Sequence, residues 1–198
     1  MRPIALIKPA LFVLALVPVL LLAYGAAADR LGANPVEYIT HQTGTWALAC
    51  LVASLAVTPI RRLSGWHEVI RVRRMLGLFA FFYASLHFLT WFLFDHALDA
   101  AAMADDVASR PFIAAGMAGF LLMVPLAVTS NAAMIRRLGR RWAQLHRLAY
   151  AAAVAGVVHF WWIVKSDTTE PLRWAAAVAV LLGIRAWWAF RRRLSSQS

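Results

Sequence analysis

The sequence is poor in cysteine, in acidic residues and in polar stretches, and each shortage excludes something. A single cysteine, Cys50, rules out an internal disulfide and a thiol–disulfide relay; inside an apolar run it reads as a small packing residue. Nine Asp and Glu against twenty Lys and Arg leave a net charge of +11, which in a soluble chain would point to nucleic acid. Charged residues make up only 15% of the 198 residues and hydrophobic ones 62%. Soluble domains are roughly 45–50% apolar, so the chain reads as an integral membrane protein with no room for a separate soluble domain.

What is present is a series of apolar runs. Windows of about 17–25 apolar residues span a bilayer, and six occur: Ala10–Ala28, Gly44–Ile60, Met75–Phe94, Phe112–Ser130, Arg147–Val164 and Trp174–Phe190. The expected fold is therefore all-α, a six-transmembrane-helix bundle forming one domain over residues 1–198. The first run ends in Ala26-Ala27-Ala28 like a signal peptide, but it exceeds the 7–15 residues of an h-region and reads as a retained helix, bent at Pro18.

The basic residues alternate with the acidic ones along the chain. Arg61, Arg62, Arg71, Arg73 and Arg74 separate the second and third runs; Arg136, Arg137, Arg140, Arg141 and Arg147 separate the fourth and fifth; Arg191, Arg192 and Arg193 follow the sixth. The other connections carry Asp29 and Glu37, then Asp95, Asp99, Asp105 and Asp106, then Asp167 and Glu170. The positive-inside rule puts both termini and the arginine-rich loops in the cytoplasm. Arginine is thereby explained by topology and lipid headgroups, and no nucleic-acid partner is expected.

Histidine carries the functional signal, because an imidazole inside a span is costly and marks a site. His87 lies 12 residues past Met75 and His159 lies 13 past His146, in helices running the same way; at 1.5 Å per residue their depths match. Two imidazoles at one depth are what a six-coordinate haem requires, one on each face of the ring. The expected haem site thus lies between helices 3 and 5. On an ideal helix His146 would point about 140° away from His159, unless the helix is bulged or irregular at His146. Helix 3 has no second histidine, and Arg73 and Arg74 stand where one would be. His146 then faces a second haem, a haem propionate or flavin phosphate held by Arg73 and Arg74, or lipid headgroups. His41, His67 and His96 read as interfacial or solvated residues.

Five stretches are similar to one family: LGANPVEYITHQTG (Leu31–Gly44), IRVRRMLGL (Ile70–Leu78), ASLH (Ala84–His87), AVTSNAAMIRRLGRRWAQLHRLAY (Ala127–Tyr150) and VVH (Val157–His159). Together they resemble the MsrQ/YedZ family, the haem-containing membrane subunit of a bacterial periplasmic methionine sulfoxide reductase system, within the ferric-reductase-like transmembrane superfamily. The resemblance covers residues 1–190. It implies an inner-membrane, multi-pass electron-transfer subunit with b-type haem, one or two, on His87, His146 and His159. It also implies FMN, a quinol or flavin electron donor, and a periplasmic MsrP-like molybdopterin subunit as partner. The chain departs from the superfamily's paired histidines at Arg73 and Arg74, and no dinucleotide fingerprint follows the last apolar run. Two other readings use the same residues. One is a stand-alone ferric or cupric metalloreductase with His41 and the acids collecting metal; the other is a non-redox transporter or structural subunit.

Overall fold

A computed structural model describes residues 4–95, 97–164 and 166–195, so His96 lies outside the described residues. Among them all regular structure is helical: α1 (Ile4–Ala27), α2 (Pro35–Ser64), α3 (Ile70–Thr90), α4 (Ala100–Ser109), α5 (Pro111–Val128), α6 (Ala132–Leu138), α7 (Arg140–Leu145), α8 (Leu148–Ile163) and α9 (Thr169–Ser195). A single 3-10 turn, His67–Val69, leads into α3, and a π turn, Trp91–Asp95, extends it. Five of these stretches are long and apolar enough to cross a membrane: α1, α2, His67–Asp95, α5 and α9.

Local sequence explains the helix ends. Pro35 occupies the first turn of α2, where its missing N–H costs nothing, and the Asn34 side chain accepts from the Glu37 N–H at 3.2 Å. The helix stops at Gly65, whose φ of 71° only glycine adopts freely. The fifth expected run is helical only from Leu148 to Ile163, 16 residues, because the chain turns at His146 and Arg147 before α8 begins. That turn makes α8 slightly shorter than the usual span of about 17–25 residues.

The long helices pack chiefly as two antiparallel hairpins, α2 with α3 and α5 with α8; α9 lies against α8 and α2, and α1 against α3 and α2. The core between them is made of Leu51, Leu55, Phe79, Ala80, Met123, Ala152 and Ala153. Phe12, Leu14, Leu20 and Leu21 of α1, Leu121 of α5 and Val180 of α9 stay exposed, an outer surface suited to lipid rather than water. Tyr83 is fully buried, and its hydroxyl donates to the Ala15 carbonyl at 2.7 Å and accepts from the Val19 N–H at 3.3 Å. An oxygen from α3 thus sits in the backbone ladder of α1 beside Pro18, where a proline has already removed one helical bond.

Candidate functional site

Two cavities lie at opposite ends of the bundle. The larger, about 1070 Å³, is lined by His87, His159 and His41, with Glu37, Asp95, Asp106 and Arg110 at its polar end. The smaller, about 680 Å³, is lined by Lys8, Arg71, Arg73, Arg74, Trp142 and His146. Leu51 and Met123 contribute to both. The sequence-predicted residues therefore divide: His87 and His159 come together, while His146 joins Arg73 and Arg74 at the arginine-rich end.

His87 and His159 are presented in the same way. The His87 Nδ1–H donates to the Thr40 carbonyl at 2.8 Å, and the His159 Nδ1–H donates to the Phe112 carbonyl at 2.7 Å. A carbonyl only accepts, so both rings carry their proton on Nδ1 and keep the Nε2 lone pair for a ligand. A hydrogen bond of this kind, from the far ring nitrogen to a carbonyl, is what orients metal-binding imidazoles. The ring centroids are 5.8 Å apart and the planes cross at 79°. Both rings line one cavity, whose size is at the upper end of the roughly 300–1,000 Å³ typical of ligand sites. This donor set fits a bis-imidazole haem iron.

The two presentations belong to an internal repeat that the sequence reading overlooked. Each of the two hydrogen bonds spans 47 residues, and His159 follows His87 by 72 positions, 159 minus 87. The same offset takes Thr40 to Phe112 and Gly44 to Gly116. It also relates Leu48 to Phe120, Leu51 to Met123 and Phe88 to Phe160, all of which line the cavity. The α2–α3 and α5–α8 hairpins thus face each other across the cavity as an approximate two-fold pair, the parallel kind of repeat whose axis runs along the membrane normal. The signal was in the numbering: glycine and histidine 43 residues apart, twice.

His146 differs. It lies at the C-terminal cap of α7, with φ −69° and ψ −1°, so it is not on one regular helix with His159 and the expected 140° does not apply. Its Nε2 is 3.1 Å from Thr129 Oγ1. The Thr129 hydroxyl gives its one proton to the Pro125 carbonyl at 2.6 Å, so it accepts from His146 Nε2–H, which leaves Nδ1 as the lone pair. Trp142 stacks on the ring, centroids 3.9 Å apart, and its Nε1–H donates to the Thr129 carbonyl at 3.0 Å. Burial, and after it the nearby Arg73 guanidinium, push the imidazole below its usual pKa. His41 is exposed at the mouth of the larger cavity, edge-on to Phe160 with centroids 6.0 Å apart.

A second overlooked residue is Arg185, inside the expected span Trp174–Phe190. Its guanidinium donates to the Leu181 carbonyl at 2.6 Å and to the Leu55 carbonyl of α2, and it lies over the Tyr150 ring, 5.5 Å from the centroid. A lone charge in so apolar a stretch was the signal that should have drawn attention.

Residues 43–157 match the family model described as ferric reductase like transmembrane component. Among curated proteins, the chain is 55% identical over 188 residues to the protein-methionine-sulfoxide reductase heme-binding subunit MsrQ of Ralstonia nicotianae, covering 93% of this chain and 87% of that one. The identically named protein of Herminiimonas arsenicoxydans is 51% identical, with 96% and 88% covered, and that of Rhodospirillum rubrum 50% identical, with 96% and 91% covered. No solved structure matches. On this agreement of sequence, helical architecture and paired histidines, the chain belongs to the MsrQ family of ferric-reductase-like transmembrane proteins.

Proposed function

We propose that the chain is a b-haem electron-transfer subunit of a bacterial inner membrane. It takes electrons from quinol or a flavin donor at the cytoplasmic, arginine-rich end. It delivers them at the acidic end to a periplasmic MsrP-like molybdopterin subunit that reduces methionine sulfoxide in oxidised proteins. The observation that carries this reading is the matched pair of imidazoles, each locked by an Nδ1–H to carbonyl bond and each with Nε2 left for a metal in the shared cavity. Haem bound there supplies one-electron redox chemistry, while the protein sets its ligands, dielectric and access. His87 and His159 hold the iron, Thr40 and Phe112 fix their tautomers, and the apolar walls from Leu48, Phe88 and Phe120 exclude water.

The smaller cavity is assigned to the donor side. There His146, Arg73 and Arg74 serve a second haem with His146 as ligand and the arginines on its propionates, or the phosphate of FMN. The three histidines thus work at two levels in the membrane, with six spans in all and α8 as the fifth. The stand-alone metalloreductase is less well supported, since the relatives at 55% and 51% identity are named as heme-binding subunits of a protein-methionine-sulfoxide reductase.

The test is a dithionite-reduced minus oxidised spectrum of the purified protein, with pyridine haemochrome quantified against protein. Sharp b-type bands are expected, and His87→Ala and His159→Ala should each lose the contribution of the larger cavity. A colourless protein from haem-supplemented cells would discard the redox reading in favour of a transporter or structural subunit.

A further inference from the structure

Two glycines account for a part of the larger site that the histidines alone do not. A Cβ on Gly44 would lie 3.1 Å from both Cε1 and Nδ1 of His87, and a Cβ on Gly116 would lie 2.8 Å and 2.7 Å from the same atoms of His159. Neither glycine has a positive φ, so the helical backbone does not ask for glycine at either position. Glycine inside a helix even costs roughly 0.5–1 kcal/mol relative to alanine. What both positions supply is room: each imidazole lies flush against the neighbouring helix at a residue with no side chain. The two are 72 positions apart, as are the two histidines and the two carbonyls.

We infer that Gly44 and Gly116 are a matched pair of positioning residues that fix the planes of the two axial imidazoles and hold them crossed at 79°. The inference rests on the reading that haem iron is bound by His87 and His159. A ring tied by Nδ1–H to a carbonyl of the adjacent helix, with its edge against a glycine Cα one turn further along, cannot rotate about its Cβ–Cγ bond without losing one contact or the other. Hydrogen bonding to the histidine that holds the iron is one of the levers by which a protein tunes a haem, and here the same hydrogen bond helps to set the plane of the ring. Crossed planes leave two iron d orbitals close in energy and give the oxidised haem a highly anisotropic low-spin resonance; parallel planes separate them and give a rhombic one.

The experiment is electron paramagnetic resonance of the oxidised, haem-loaded protein, with haem content measured on each sample. The wild type is expected to show the highly anisotropic signal. In Gly44→Ala the His87 ring must shift by a few tenths of an ångström, and the signal moves toward the rhombic type at unchanged haem content. Gly116→Ala meets a tighter contact and converts part of the haem to high spin as His159 is displaced. Gly119→Ala, whose new methyl would meet the Ala155 Cβ at 3.4 Å and the Ala152 carbonyl oxygen and Gly156 nitrogen at 3.7 Å, all ordinary contacts and none of them with a histidine, leaves the signal as it was. Because Gly116→Ala could fail to take up haem, Gly44→Ala decides: full haem content with a wild-type signal overturns the inference. A wild type without low-spin haem, or a low-spin signal that survives in a His87→Ala/His146→Ala double variant, would remove the underlying reading instead.

Discussion

The guanidinium of Arg185 donates to the main-chain carbonyl of Leu55, and that carbonyl is the one Pro59 leaves without a helical donor. Proline lacks the N–H that would have reached back four residues, and within a bilayer an unpaired carbonyl is costly. A charge that α9 would otherwise carry at a loss is thereby matched to a defect in α2.

This pairing predicts a specific pattern of stabilities. Arg185→Met should destabilise the protein by roughly 1.5–3 kcal/mol, the range for hydrogen bonds to charged groups. In a Pro59→Leu background the helix can supply its own N–H to Leu55, and the same substitution should cost less. A double-mutant cycle by denaturant titration measures the coupling. Strict additivity would mean that the two residues do not act on one carbonyl.

Tyr83→Phe should cost about 1 kcal/mol, because it removes an oxygen that satisfies both Ala15 and Val19. Part of the loss is recovered if α1 closes its own bond between those two residues. Faster hydrogen exchange at the Val19 amide would locate the effect; an exchange rate equal to that of the wild type would contradict it.

The three histidines should respond differently to truncation. If haem is held as proposed, His87→Ala and His159→Ala should each abolish binding in the larger cavity, whereas His146→Ala should leave that spectrum in place and change only what is bound at the arginine-rich end. Spectra and haem-to-protein ratios of the three variants check this. Identical losses in all three would mean that they serve one centre.

The orientation of α8 can be tested directly. In a Cys50→Ala background, Asp29→Cys, Asp99→Cys and Thr168→Cys should react with an impermeant maleimide applied to the periplasmic face, and Arg136→Cys and Arg192→Cys should not. If Thr168→Cys failed to label while the first two did, α8 would not cross.

How much of this was legible beforehand depended on the range of the interaction. Five long helices showed as apolar runs because lipid imposes composition locally, and His87 and His159 stood out because imidazole is rare in so apolar a stretch. Arg185 did not, since one charge barely lowers the mean hydropathy of a long window, and the carbonyl it serves is 130 residues away in sequence. The place of His146 required the turn at Arg147 and the Thr129 hydroxyl, neither of which has a periodic signature. Gly44 and Gly116 looked like ordinary small residues until the imidazoles were seen against them.

The two-fold pairing of the hairpins bears on assembly. Each hairpin brings one imidazole, one carbonyl and one glycine, and neither alone can enclose a ring of iron and four pyrroles. A haem held as proposed would then be a clasp between two half-sites. Two fragments divided in the 97–99 connection and made together should find each other around it, in the manner of two subunits sharing a prosthetic group.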